Sequence, residues 1–371
     1  MFNLPSLKLG RIFGIPLEIN PTWLVIFVLV AASLAFSYYP SFFDWSATTA
    51  LIVGILTALL FFASIVVHEM SHSLVARAGG IKIRKVTLFL FGGVAQMEEE
   101  PRGPGAEFVM AIAGPAASLG LAALFYAAYT GAILLRVPDV VWGPLEYLSA
   151  INLSVALFNL LPGFPLDGGR VLRAALWAMT GDLLKATLWA SRAGQAVGYL
   201  MVGAAVIGVL NGMLNLIWLG LVGWFIATIA DKSYRQQEAK SRLSHIPVSA
   251  IMTPDPLVAP GEISLEELAH DYFLGGRHSR YPVVVGGEVV GLISLSRVKK
   301  IPREGWADTR VADVADQDVI SLLVDADDHA DTVAERLVGE RPGALLVVRD
   351  GRVVGIVTRA DVISRLRRSD V

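Results

Sequence analysis

Over the first 230 residues, apolar side chains come in long blocks; beyond them the apolar runs are short and interrupted by charge. Blocks near 21–39, 48–76, 106–135, 145–163, 186–210 and 213–230 approach or exceed the about 20 mostly apolar residues that a bilayer-crossing helix needs. The pattern predicts six transmembrane helices. Two connections break it. Residues 81–97, IKIRKVTLFLFGGVAQM, are rich in β-branched and aromatic residues and are punctuated by Gly92-Gly93. They read as short strands or a re-entrant hairpin, and a hairpin on the cytoplasmic surface fits the same residues. The other, Asn159 to Arg170, holds Pro162, Pro165, Gly163, Gly168 and Gly169, so its backbone is bent and cannot continue a helix.

From residue 231 the pattern changes. Residues 231–245 form a polar linker with helical character, and an internal repeat follows. YPVVVGGEVVGLISLSRV at 281–298 aligns with ALLVVRDGRVVGIVTRADV at 344–362, with Gly291 matching Gly355 at an offset of 64. Each half predicts a helix, two strands about a glycine turn, and a second helix. The expected fold is an α-helical membrane region (1–230) of six transmembrane helices with a short re-entrant or β-hairpin segment. A linker (231–245) joins it to a soluble α/β domain (246–371).

Composition sharpens this division. The 371 residues are 54% hydrophobic and 17% charged, with mean hydropathy +0.58. Only 12 of the 31 Lys and Arg and 11 of the 33 Asp and Glu fall in residues 1–230. The net charge of −2, with no basic domain, argues against a nucleic-acid partner. The absence of cysteine excludes disulfides and thiolate-held metals. One set of membrane loops carries Lys8, Arg11, Arg77, Lys82, Arg84, Lys85, Arg102, Arg170, Arg173, Lys185 and Arg192, and the opposite set carries Arg136 alone. This bias places both termini and the tail on the cytoplasmic side of the cell membrane. The first apolar block has no small-residue cleavage site after it and reads as a retained helix.

The second block contains His68-Glu69-Met70-Ser71-His72, an HExxH motif. On a helix, His68 and His72 share a face and can bind one metal ion, with Glu69 beside them as a general base. Ionisable groups are costly at membrane depth, and these are the only two histidines before residue 230. A catalytic zinc ordinarily has three protein ligands and an open position. Glu98, Glu99 and Glu100 lie in a charged loop, Glu107 opens a helix, Asp139 and Glu146 fall on the far side, and Asp182 lies in a polar turn. Asp167, in the Pro/Gly-constrained apolar segment, is the best third ligand. As a residue type it serves equally as an N-cap for a helix beginning at Gly168. The tail histidines 245, 270, 278 and 329 read as surface or turn residues.

HExxH in a transmembrane helix, followed by FNLLPGFPLDGGR (Phe158–Arg170), resembles the site-2 protease family of intramembrane zinc metalloproteases. AGPAAS at 113–118 resembles the small-residue helix start of that family, although Ser118 stands where relatives often carry Asn. The resemblance covers about residues 1–230. It implies one zinc per chain on His68, His72 and Asp167, Glu69 as general base and acid, and Asn159 orienting the substrate or polarising its carbonyl. It also implies that Gly92 and Gly93 lie beside the path of a transmembrane protein substrate. A strand edge within 86–94 offers pairing to a substrate segment once it unwinds.

Ile251-Met252-Thr253-Pro254 and the repeat resemble a tandem pair of CBS domains over about 246–366. This implies binding of an adenine nucleotide (ATP, ADP or AMP) and a homodimer through the CBS domains; a dimerising module without ligand fits the same residues. Thr358 and Asp361 match the family's ribose and phosphate contacts. The first repeat has Ser294 and Arg297 at the equivalent places, and arginine cannot accept hydrogen bonds from a ribose diol. One nucleotide site is therefore expected. A CBS-regulated transporter or channel and a silent membrane scaffold are the alternatives from other classes.

Overall fold

The computed structural model describes residues 6–89, 92–97, 99–275, 278–337 and 343–368. It divides into two compact units, Met1–Arg235 and Gln236–Val371.

In the first unit, six helices among the described residues are long and apolar enough to cross a membrane. They are α1 (Thr22–Phe42), α2 (Ala47–Ala78), α3 (Pro104–Leu134), α4 (Asp139–Asn159), α6 (Leu183–Leu210) and α7 (Leu214–Leu243). A seventh, shorter helix, α5 (Asp167–Thr180), follows the Pro/Gly segment. The expected block 145–163 is realised as a helix that starts earlier and stops at Asn159, because Pro162 and Gly163 cannot prolong it. The AGPAAS segment is not a helix start. It lies inside α3, with Pro115 within the helix.

Residues 81–97 form two strands, β3 (Ile83–Phe89) and β4 (Gly92–Met97), and Leu90 and Phe91 lie outside the described residues. A second hairpin, β1 (Leu7–Ile12) and β2 (Ile15–Ile19), precedes α1. It has no counterpart in the sequence reading. The sheet order is β1-β2-β3-β4; β2 runs parallel to β3, with Leu17 opposite Val86 and Ile19 opposite Leu88. β3 is therefore an interior strand. Among the described residues of 86–94, only those of β4 can offer an open edge, which narrows the expectation of an edge within 86–94 and removes Val86 to Phe89 from it.

Burial explains the placement of this sheet. Ile15, Leu17, Val86 and Leu88 form one apolar cluster with Met70, the middle residue of HExxH. The sheet thus packs against α2 at the level of the motif, on the side of Met70, which on a helix points away from the face that His68 and His72 share. Lys85 donates to Glu18 Oε2 at 2.7 Å, and the Ser6 hydroxyl donates to the same oxygen. These contacts, Lys85 first, hold the Glu18 carboxyl below its ordinary value despite burial. Arg77, in the last turn of α2, donates to the Phe13 carbonyl at 2.5 Å and ties the helix to the first hairpin.

Small residues let the later helices approach closely. A methyl group on Gly198 of α6 would meet the Gly223 carbonyl of α7 at 2.5 Å, and one on Gly194 would meet the Phe164 carbonyl at 2.0 Å. The second contact seats the Pro/Gly segment against α6.

The second unit repeats one plan. Strands β6 (Ala259–Pro260), β7 (Arg280–Val285) and β8 (Glu288–Ser294) form one sheet. Strands β5 (Thr253–Pro254), β9 (Leu323–Asp325), β10 (Ala344–Arg349) and β11 (Arg352–Thr358) form the other, in order β5-β11-β10-β9. The same register shift occurs at Val283/Val284 and at Val347/Val348. Gly291 and Gly355 are both roofed closely: an added methyl would stand 2.6 Å from the Asp316 carbonyl and 2.4 Å from the Met252 sulfur, respectively. The offset of 64 read from the sequence thus extends to the segments that cross over each glycine. Leu292 of the first half and Leu322, Ala344, Leu346 and Ile356 of the second pack as one buried cluster between the halves.

Candidate metal centre

His68 and His72 lie four residues apart on α2, and both imidazoles are buried. Each ring is held through its Nδ1. For His72 that atom lies 2.7 Å from the Met110 carbonyl oxygen. A carbonyl only accepts, so His72 carries its proton on Nδ1 and presents a lone pair at Nε2. For His68 the Nδ1 partner is the Ser118 hydroxyl at 2.9 Å. The two Nε2 atoms stand 3.3 Å apart and face each other.

Asp167 completes the group. It is the first residue of α5, yet it makes no cap bond to that helix. Instead Oδ2 lies 3.1 Å from His68 Nε2 and 3.2 Å from His72 Nε2. The N-cap role is not what the side chain does. Among the described residues, His68, His72 and Asp167 are the group of His, Asp and Glu side chains whose ligand atoms converge.

The donor set fits zinc. Bonds of about 2.0–2.1 Å to nitrogen and oxygen place tetrahedral ligand atoms roughly 3.3 Å apart, and the three separations here are 3.1, 3.2 and 3.3 Å. When both rings are neutral and carry their proton on Nδ1, the two Nε2 atoms and the carboxylate oxygen turn lone pairs towards one point, an arrangement that a cation between them satisfies.

α3 makes room for this arrangement. A methyl on Gly114 would stand 2.2 Å from His72 Nε2 and 2.6 Å from His68 Nε2. Beside the histidines, Glu69 is half-buried, and the backbone of β4 lies against it. A methyl on Gly93 would meet Glu69 Cγ at 2.3 Å and Oε1 at 3.2 Å. Gly92 adopts φ +125, a conformation open to glycine. Gly93 thus brings the edge strand over Glu69. Asn159, the last residue of α4, donates its side-chain amide to the Val155 carbonyl at 3.0 Å. The structure therefore brings together His68, His72, Asp167, Glu69 and Gly93, while Asn159 is turned towards its own helix.

Sequence reading missed three supports of the site. Ser118 was visible only as a departure from a motif, and Gly114 only as part of a small-residue run. The Met110 contact is made by a backbone carbonyl, so no residue type announces it. Burial and Arg173 depress the pKa of Arg170, one turn along α5 from Asp167, whereas Glu107, Asp167 and Glu69 favour its charged form.

In the second unit, Asp361 Oδ2 accepts from the Thr358 N–H at 2.8 Å and its hydroxyl at 2.7 Å. The pair lies at the start of the helix Arg359–Arg368, where Asp361 makes one of the two bonds of a capping box by accepting from the Thr358 N–H. In the first repeat, Ser294 contacts Ser296 at 3.1 Å, and Arg297 pairs with Asp316 at 3.3 Å. The two halves present different chemistry at equivalent places.

Comparison with known proteins agrees with these two units. Residues 56–135 and 136–205 match the model of peptidase family M50, and residues 248–304 and 311–368 match that of the CBS domain. The Synechocystis protein sll0528, named as a zinc metalloprotease, is 36% identical over 368 residues, covering 98% of this chain and 96% of its own. Zinc metalloprotease MJ0392 of Methanocaldococcus jannaschii is 31% identical over 362 residues, covering 96% and 95%. Among solved structures, a site-2 protease from Methanocaldococcus jannaschii is 33% identical with a TM-score of 0.44, covering 62% of this chain and 95% of that one. The chain belongs to peptidase family M50, the intramembrane metalloproteases, and carries a CBS pair. It is a multi-pass membrane protein, and the transporter and scaffold alternatives give way to the protease reading.

Proposed function

We propose that one zinc ion is held by His68, His72 and Asp167 and that the chain hydrolyses peptide bonds in or near transmembrane segments of other membrane proteins. The observation that carries this reading is the convergence of three potential ligand atoms within 3.3 Å of one another, two from the HExxH helix and one from the segment that ends in LDG. Zinc bound there supplies Lewis acidity, which acidifies a water molecule and polarises a carbonyl. Glu69 accepts the proton of the attacking water and delivers it to the leaving amine. Asn159, on releasing the Val155 carbonyl, offers its amide N–H groups to the scissile carbonyl.

A substrate helix hides its backbone in internal hydrogen bonds and must unwind before attack. The outer edge of β4, with Gly93 against Glu69 and Gly92 beside it in the strand, offers replacement bonds by strand addition. The cationic loops support an orientation with both termini and the CBS domain in the cytoplasm. The proposed domain limits are 1–230 for the membrane protease, 231–245 for the linker and 246–371 for the regulatory pair. Thr358 and Asp361 form one adenine-nucleotide site, and the CBS domains join two chains into a homodimer. Co-expression of active and Glu69→Gln forms with a membrane reporter tests the activity. Anchored reporter segments released only by the active form are expected, and equal release by both forms would remove Glu69 from the chemistry.

A further inference from the structure

The zinc-facing residues come from two helices that the chain does not hold together locally. α2 carries both histidines, whereas Asp167 begins α5, 95 residues after His72, behind the bent Pro/Gly segment. What holds both in register is one face of α3. Glu107, Met110, Gly114 and Ser118 fall at i, i+3, i+7 and i+11, which share a side of a helix. Three of the four serve α2: the Met110 carbonyl takes His72, the Ser118 hydroxyl takes His68, and Gly114 leaves space for both rings.

The fourth serves α5. Glu107 is fully buried, Arg173 is 7% exposed, and Glu107 Oε1 accepts from Arg173 Nε at 2.6 Å and from a terminal guanidinium nitrogen as well. Glu107 Oε2 is buried without a partner among the described residues, so the protein contacts of this carboxylate go to Arg173 through one oxygen. Arg173 lies six residues after Asp167, and its guanidinium sits 5.1 Å from the centroid of the Phe164 ring, three residues before Asp167. One side chain thus grips the segment on each side of the third ligand and ties it to α3. Replacing a buried ion pair by apolar residues of similar size is often neutral or stabilising, so stability alone is a weak reason for two buried charges here.

We propose that Glu107 and Arg173 are positioning residues that set Asp167 against the two histidines. This rests on the zinc reading above. Two guanidinium nitrogens converging on one buried oxygen make a charge-assisted contact that holds Arg173 against α3, and a displaced Asp167 carboxylate lowers metal affinity without unfolding α5.

The test uses the full-length protein in detergent. Zinc affinity is measured by chelator competition, and the visible spectrum of the cobalt(II)-substituted protein reports ligand geometry. Two variants are compared with wild type: Glu107→Gln, which keeps shape, and the double Glu107→Leu/Arg173→Met, which removes both charges and keeps packing. Both are expected to keep their helical circular dichroism, bind zinc about 10–100-fold more weakly, as for other supporting partners of metal ligands, and show an altered cobalt spectrum. Unchanged affinity and spectrum in the folded double variant would overturn the proposal. So would failure of both variants to fold, which would make the pair a requirement of the fold itself. Asp167→Ala separates the two levels. If wild type holds no zinc, or Asp167→Ala holds it equally well, the zinc reading fails, whatever the pair does.

Discussion

Gly114 faces His72 so closely that a single methyl group would stand 2.2 Å from Nε2, the atom turned towards Asp167. The helix backbone cannot retreat by that amount, so the imidazole must. Gly114→Ala is therefore expected to leave the helical content unchanged while zinc content falls well below that of wild type. Metal analysis of the purified, folded variant checks this, and wild-type zinc content would show that the rings have room to spare.

The β4 edge gives a second expectation. Successive residues on an edge strand point their N–H groups alternately to the neighbour and away from it, so one of Val94 and Ala95 directs its N–H outward. Proline removes that donor. Of Val94→Pro and Ala95→Pro, the outward-facing variant should cleave substrate at least tenfold more slowly with zinc still bound. If both variants remain folded and turn over normally, strand addition at β4 is excluded.

These features differ in how far the sequence could reveal them. The six apolar blocks and the 64-residue repeat are local patterns, and each is matched by elements in the structure. HExxH gave its two histidines by helical spacing alone. Asp167 stood open between ligand and cap, because that choice depends on a contact 95 residues away. The β1–β2 hairpin escaped notice because its five- and six-residue strands are stabilised by parallel pairing to β3, beyond the whole of α1 and α2. Val86 and Leu88 looked like an edge for the same reason: nothing near them in sequence announces the strand that covers them. Glu107 read as a residue opening a helix, which it is, but its buried partner Arg173 lies 66 positions away.

The CBS pair should bind one adenine nucleotide per chain. The asymmetry lies in Asp361, which accepts from Thr358, against Arg297, which pairs with Asp316. Calorimetry on the full chain with AMP or ATP is expected to give a stoichiometry of about one, from the single diol-accepting carboxylate, and no binding in Asp361→Ala. Two equivalent sites would contradict the asymmetry.

Glu18 and Lys85 give a pH-dependent term in stability. The Glu18 carboxyl is held below its ordinary value of 4.5 by Lys85 and Ser6. Its contribution is therefore fully present above 4.5 and is lost as the pH falls through the lowered folded value. Glu18→Gln should be less stable than wild type at neutral pH, by about 1–3 kcal/mol for a hydrogen-bonded charge. The gap should close in acid. Thermal unfolding in detergent at several pH values checks this, and a gap that widens in acid would reverse the sign of the argument.

The central claim is that Asp167 is a metal ligand while Glu69, next to His68 in the chain, is not. Zinc content and substrate cleavage, measured on the same purified wild-type, Glu69→Gln and Asp167→Ala proteins, test it most directly. Wild type should carry about one zinc per chain and cleave; Glu69→Gln should carry as much and be inactive; Asp167→Ala should lose most of the metal together with the activity. Full zinc occupancy and normal cleavage in Asp167→Ala would contradict the account.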